Sequence, residues 1–314
     1  MKLSYEQIKS VTVGAVQLYE DSAGLHFFKM TPLQLDAFGA LSQTLHANAS
    51  SSSGIRLDFH TNSKYIKYST LTSGKYEVKI DGLLSGYIRA TSGAETEIRL
   101  SEDGANHRIT LHLPSHGLPA GLKYIELEDG SEMTPHIFDR KFLFIGDSIT
   151  HGWNSQLDTM SFAYQTSDHF NAESIIQGTG GAYFDVTTIE KLDFDPDTVI
   201  VAYGTNDSNK FSTLDEISSR ASEFLKKLME FYPKAKICVI TPIWRLDYDT
   251  AVKAYGHVSL AADAIGDAAR ALGLKVIDGM KMIPPHEIFM ADNLHPNDLG
   301  FSVYAHNLIK VLDN

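Results

Sequence analysis

The sequence predicts two units: an all-β jelly-roll or sandwich domain over residues 1–138, then an α/β domain over 139–314 built on a five-stranded parallel sheet. Three observations carry this. Before residue 140 the apolar residues recur with period two; after it, short apolar runs alternate with segments of helical period. Turn dipeptides punctuate the first part at spacings of about ten residues, as in sandwiches and jelly rolls. In the second part the polar motifs fall just past the carboxyl ends of predicted strands, where parallel sheets bind ligands.

In the first part, over residues 11–135, Ile55, Leu57 and Phe59 alternate with polar residues, as do Tyr76, Val78 and Ile80, and Ile109, Leu111 and Leu113. Such strands are expected to bury one face and wet the other. Asn62-Ser63, Ser73-Gly74, Asp81-Gly82, Ser92-Gly93, Asp103-Gly104 and Asp129-Gly130 supply the turns. The only low-complexity patch, ANASSSSG at 47–54, reads as a surface loop, and there is no internal repeat.

In the second part the expected order is strand 142–146, helix 161–170, strand 173–177, helix 184–191, strand 198–203, helix 214–232, strand 236–241, helix 251–272, strand 274–278 and a last helix from 298. Leu214, Ile217, Ala221, Phe224, Leu225 and Leu228 share one helical face, and Phe301, Tyr304, Leu308 and Val311 another. Strands separated by helices imply a parallel sheet covered on both sides by right-handed crossovers.

The chain has 314 residues, 43% apolar and 21% charged, which suits a globular protein with a sizeable core. A net charge of −12 argues against a nucleic-acid partner, which wants a basic face. The single cysteine, Cys238, lies in the apolar run KICVIT and reads as a buried, inert thiol. The N-terminal MKLSYEQIKS lacks a signal-peptide apolar region and no stretch is long enough to span a membrane, so the sequence reads as cytoplasmic, with no membrane partner. It leaves the oligomeric state open.

The segment KFLFIGDSIT at 141–150 organises the chemistry. Phe142, Leu143, Phe144 and Ile145 form a buried strand, Gly146 and Asp147 break it, and Ser148 follows at the turn as a candidate nucleophile. Alone, Gly-Asp-Ser is an ordinary turn or helix cap. A neutral hydroxyl needs a base, and Asp292 and His295 in ADNLHP supply a base and its orienter at a spacing of three. An oxyanion needs two or three donors. Asn206 in Gly204-Thr205-Asn206-Asp207, a backbone N–H in Gln177-Gly178-Thr179-Gly180-Gly181, and the Ser148 N–H are candidates. The glycine run is not a dinucleotide fingerprint, because Tyr183 stands where the last glycine should be.

As a set and in this order, the motifs resemble those of SGNH (GDSL-type) hydrolases over residues 140–314. Gly146-Asp147-Ser148-Ile149-Thr150 matches the nucleophile block, and Gly181, with Gly180 as second choice, the glycine block. Gly204-Thr205-Asn206-Asp207 matches the asparagine block and Asp292-Asn293-Leu294-His295 the Asp-x-x-His block. The resemblance implies a flavodoxin-like three-layer α/β/α domain, with Ser148 as nucleophile, His295 as base and Asp292 orienting it. The Ser148 N–H, Gly181 N–H and Asn206 Nδ2 would form the oxyanion hole, with no metal or cofactor. Where the family often carries glutamine, this chain has His151, expected as a pocket wall. The β-rich leader is similar to that of two-domain carbohydrate acetylesterases, which makes Trp153 and Trp244 candidate sugar-stacking residues, against core packing as the plainer role.

The expected activity is hydrolysis of short acyl esters, acetyl foremost, on a sugar or oligosaccharide. The alternatives are a thioesterase or lysophospholipase for longer chains, and an inert glycan binder. A metal site from Asp292, His295 and His286 lacks zinc-type spacing.

Overall fold

The computed structural model describes residues 1–116 and 119–313, the side chains of residues 87 and 88 aside. Two antiparallel sheets form the first unit. One runs in the order Gln17–Glu20, Leu25–Phe28, Gly121–Leu127, Tyr65–Thr70, Glu95–Arg99. The other runs Thr12–Val13, Arg56–Thr61, His107–His112, Gly74–Ile80, Leu83–Ala90, with Met133–Pro135 also pairing with Arg56–Thr61. Leu57, Phe59, Tyr76, Val78, Ile109 and Leu111 from one sheet meet Ile66, Tyr68, Leu122 and Ile125 from the other in a common core. At Asp81-Gly82 both residues have positive φ, +50° and +82°, as a two-residue hairpin turn of type I′ requires.

The second unit is a parallel sheet in the order Ala172–Gly178, Arg140–Gly146, Thr198–Ala202, Lys236–Ile240, Lys275–Ile277. This is the flavodoxin-like order 2-1-3-4-5, whose direction reverses between Arg140–Gly146 and Thr198–Ala202. Alternate side chains bury on opposite faces. Leu143, Ile145, Val199, Val201, Ile237 and Val239 pack toward helices Leu214–Phe231 and Ser259–Ala271. Phe142, Phe144, Ile200, Cys238 and Ile240 pack toward helices Phe162–His169 and Asp298–Leu312. Among the described residues no helix is long and apolar enough to cross a membrane.

Four sequence expectations change. The crossover expected as a helix over 184–191 holds only the 3-10 turn Val186–Thr188. Its run of Val186, Thr187, Thr188 and Ile189 is β-branched and crowds a helical turn. Conversely, the leader is not all strand. Helices Tyr5–Val11, Pro32–Leu41 and Gln43–Ala49 interrupt it, the first two with capping boxes, Ser4/Gln7 and Thr31/Gln34, and the second with Pro32 in its first turn. Met30, Phe38, Leu45 and Ala49 join the core of the parallel sheet, next to the gap left by the missing crossover helix.

The serine patch is no surface loop: Ser50–Ser53 are buried. Lys29, also buried, donates from Nζ to Ser51 Oγ (2.9 Å), Ser53 Oγ (2.6 Å) and the Gly178 carbonyl (2.6 Å), so the hydroxyls replace the water this amine would otherwise need. Finally, the polar side of the strand pair Gly74–Ile80 and His107–His112 is not wetted. Glu77 accepts from Thr159 Oγ1 (2.6 Å), Lys79 pairs with Asp168 (2.8 Å), and His112 meets Asp158 (3.3 Å), all across the contact between the two units.

Candidate active site

Ser148 begins the four-residue helix Ser148–His151, which follows the strand Arg140–Gly146 directly. Asp147 is its N-cap, Oδ1 accepting the Ile149 N–H at 2.9 Å. Burial pushes the Asp147 carboxyl up to about 7, with the nearby Asp207 adding to the rise. The helix packs close on the neighbouring strand's end: a Cβ at Gly178 would lie 2.2 Å from the His151 nitrogen. Only glycine permits that approach.

The Ser148 hydroxyl donates to His295 Nε2 at 2.8 Å. His295 Nδ1–H donates to Asp292, 2.8 Å to Oδ2 and 3.0 Å to Oδ1. The spacing of three has a local cause. Asp292 Oδ1 also accepts the backbone N–H groups of Leu294 and His295, both at 2.8 Å, so the carboxylate builds the turn that returns the imidazole to it. Partial burial raises the Asp292 carboxyl, but those two N–H groups and His295 outweigh it and hold it at about 2. Asn154, in the left-handed region at φ +71°, adds a 2.7 Å bond from Nδ2 to Asp292 Oδ2. No sequence motif pointed to Asn154.

The three donor candidates border the same space. Gly181 has φ +84°, and neither its N–H nor that of Ser148 has an acceptor among the described residues. Asn206 leaves its cap position unbonded and instead gives one amide hydrogen to the Ala182 carbonyl at 2.9 Å, the other having no acceptor among the described residues. Asp207 links the same two loops, Oδ1 accepting the Phe184 N–H at 3.0 Å, and burial pushes its carboxyl up to about 6.

Ser148, His295, Gly181 and Asn206 open into a cleft of about 590 Å³ whose other walls include Leu41, Leu45, Asn48 and Trp153. A second cleft, of about 980 Å³, lies beyond Trp153 and Asn154 and reaches the sandwich at Lys75 and Arg89. Trp153 therefore stands between the two. The other two pocket candidates lie elsewhere. His151 is only 2% exposed, its Nε2 bonded to the Ser115 carbonyl at 2.7 Å and its ring edge-on to Trp153; it supports Trp153 from below and is not a wall. Burial, then Lys29 and His116, push its pKa well down, so it stays neutral. Trp244 lines a separate recess of about 30 Å³ with Tyr248 and Met280. His286 caps the turn Glu287–Phe289, and among the described residues no group of three or more His, Cys, Asp or Glu is placed to hold a metal ion.

A hydroxyl, an imidazole and a carboxylate in series, beside three free donors, can form and break an acyl bond. The family model for GDSL-like lipases and acylhydrolases matches residues 144–303, more than half of the chain. The chain belongs to that family. No curated protein matches this GDSL-like acylhydrolase. It is similar in fold to the salicylyl-acyltransferase SsfX3 from a tetracycline biosynthetic pathway, at 16% identity and TM-score 0.81, covering 96% of this chain and 93% of that one. A candidate GDSL-like lipase from Bacteroides ovatus ATCC 8483 superposes at TM-score 0.75 with 19% identity, covering 100% and 97%. A family 2 carbohydrate esterase from Clostridium thermocellum, solved with cellohexaose, gives 0.68 and 15%, covering 96% and 98%. The last comparison spans both units, so the sandwich leader and the parallel sheet recur together.

Proposed function

We propose that this GDSL-like acylhydrolase is a serine esterase that removes short acyl groups, acetyl foremost, from a sugar or oligosaccharide. The observation that carries the reading is the unbroken line from Asp292 through His295 to Ser148, ending in a cleft with unpartnered N–H donors. Because Asp292 accepts Nδ1–H, the Nε2 lone pair faces Ser148 and takes its proton as Oγ attacks the ester carbonyl. The carbonyl oxygen, now negative, is held by the Ser148 and Gly181 N–H groups and the free hydrogen of Asn206 Nδ2. His295 then protonates the leaving alcohol, and water repeats the sequence on the acyl-enzyme.

The leaving alcohol must lie on the His295 side. That side carries the Trp153 ring, 6.4 Å from His295 between centroids, and beyond it the larger cleft, lined by Lys75, Arg89, His116, Asn154 and Gln156. An indole beside polar side chains suits a sugar. The family 2 esterase with bound cellohexaose supports the same substrate class. A longer acyl chain is the second reading, and Leu41 and Leu45 on the serine cleft favour it.

The test is kcat/KM on nitrophenyl esters from acetate to octanoate, for wild type and Ser148→Ala. A steep fall beyond acetate, lost in the mutant, is expected, followed by serine-dependent release of acetate from acetylated oligosaccharides. A rise with chain length would move the substrate to lipids or thioesters. No serine-dependent turnover on any ester would leave an inert glycan binder.

A further inference from the structure

We propose that Asn48, contributed by the leader, is a positioning residue that aims the Gly181 N–H into the oxyanion hole; this rests on the esterase reading above. Residues 179–182 form a tight turn closed by the Ala182 N–H to the Thr179 carbonyl at 3.0 Å. Gly181, its third residue, has φ +84°, as type II demands (about +80°). The central peptide of this turn joins the Gly180 carbonyl to the Gly181 N–H. The peptide is trans and planar, so its oxygen and hydrogen point in opposite directions. Whatever holds the oxygen on one side sends the hydrogen to the other.

Asn48 holds that oxygen: its Nδ2 donates to the Gly180 carbonyl at 2.8 Å. Type I and type II turns differ by rotation of this central peptide, and two glycines leave both within reach. Rotation would withdraw the Gly181 N–H from the cleft and present a carbonyl to the developing negative charge. The Asn48 bond opposes it. Its other consequence is to polarise the peptide and strengthen the N–H as a donor.

The donor is itself anchored to the loop it serves. Asn48 sits in the last turn of helix Gln43–Ala49, and its carbonyl accepts from Ser51 Oγ at 2.8 Å. That hydroxyl receives from Lys29 Nζ, which also binds the Gly178 carbonyl. A Cβ on Gly180 would lie 3.0 Å from Asn48 Nδ2 and 3.1 Å from Trp153, so the turn is held between those two side chains with no room for a larger residue.

The discriminating variants are Asn48→Ala and Asn48→Asp. Aspartate keeps the shape but sets a carboxylate oxygen against the Gly180 oxygen. The repulsion is relieved when the peptide rotates and offers its N–H to the carboxylate. A packing role would make aspartate the milder change; a positioning role makes it the worse one. On nitrophenyl acetate, kcat should fall about 10- to 100-fold in Asn48→Ala, short of or near the loss of a whole oxyanion donor. It should fall further in Asn48→Asp, with KM within about threefold of wild type in both, as an interaction made only in the transition state requires. A kcat for Asn48→Asp at or above that of Asn48→Ala, or a rise in KM alone, would overturn the proposal. Crystals of Asn48→Asp give a readout independent of turnover: the 180–181 peptide should be rotated, and an unrotated peptide also overturns it. Absence of Ser148-dependent turnover in wild type would sink the esterase reading alone and leave the peptide's orientation to decide.

Discussion

Asp292 performs two tasks with one carboxylate. It accepts two backbone N–H groups, which shapes the turn, and it accepts the imidazole N–H, which selects the tautomer. With its carboxyl held at about 2 it stays ionised across the whole working range, so a loss of activity on mild acidification arises at another group. In the proposed mechanism, removing His295 takes away the group that moves the proton, whereas removing Asp292 leaves a base that is poorly oriented. We therefore expect His295→Ala to lower kcat by about 10⁶ and Asp292→Ala by about 10⁴, by analogy with serine hydrolases dissected in this way. Steady-state kinetics on nitrophenyl acetate check the order, and equal losses would refute the division of labour.

Among the elements, the segment from Lys29 to Gly54 gathers the glycine loop. Lys29 binds the Gly178 carbonyl, Gln34 exchanges amide bonds with Gln177, and Asn48 binds the Gly180 carbonyl. Burial pushes the Lys29 amine down from 10.5 to about 7, against the opposing pull of Asp158. The three donations to Ser51, Ser53 and Gly178 belong to the charged amine; once neutral it keeps two N–H donors, and one serine hydroxyl turns to donate to its lone pair. The consequence for stability has a definite sign. Between about pH 7 and 10.5 the unfolded chain binds the proton and the folded one does not, so stability rises with pH in that window and is flat below it. Comparing urea midpoints of wild type and Lys29→Met at pH 7 and 9.5 should reveal a pH-dependent difference of about 3 kcal/mol, present only in wild type. Parallel pH profiles for the two proteins would show that Lys29 is buried charged.

At the scale of the whole molecule, the parallel sheet lacks one of its covering helices. The crossover from Ala172–Gly178 to Thr198–Ala202 is nearly helix-free, and Pro32–Leu41 with Gln43–Ala49 fill its place, adding Phe38 and Leu45 to the core. The opposite side of the contact is polar: Arg56 lies over Tyr164, Lys79 pairs with Asp168, and Asp158 accepts the Gly54 N–H. The leader thus shares a core and a polar contact with the parallel sheet. Residues 139–314 expressed alone should give no cooperative thermal transition and should bind a hydrophobic dye, since the core of the sheet loses Met30, Phe38, Leu45 and Ala49. A sharp transition near that of the full chain would mean that the sheet tolerates an open face.

The four sequence motifs and the parallel strands were legible because each is local. KFLFIGDSIT is a strand and a turn within ten residues, and ADNLHP closes its own carboxylate turn, so spacing alone carries the geometry. The capping boxes at Thr31 and Ser4 were equally local signals, present in the sequence, the first inside the period-two region and the second just before it. What spacing does not encode is which polar side chains are wet. Glu77, Lys79, Lys29 and Ser51 look like solvated positions, and His151 like a pocket wall, until a second unit packs over them. The fate of a polar group depends on the partner it meets, and those partners lie as far as 149 residues away. For the same reason Asn48 and Asn154 carry no motif: their amides find Gly180 and Asp292 only after folding. The order of chemical groups along the chain therefore follows from sequence, while the aim proposed for the Gly181 N–H follows from a contact between the two units.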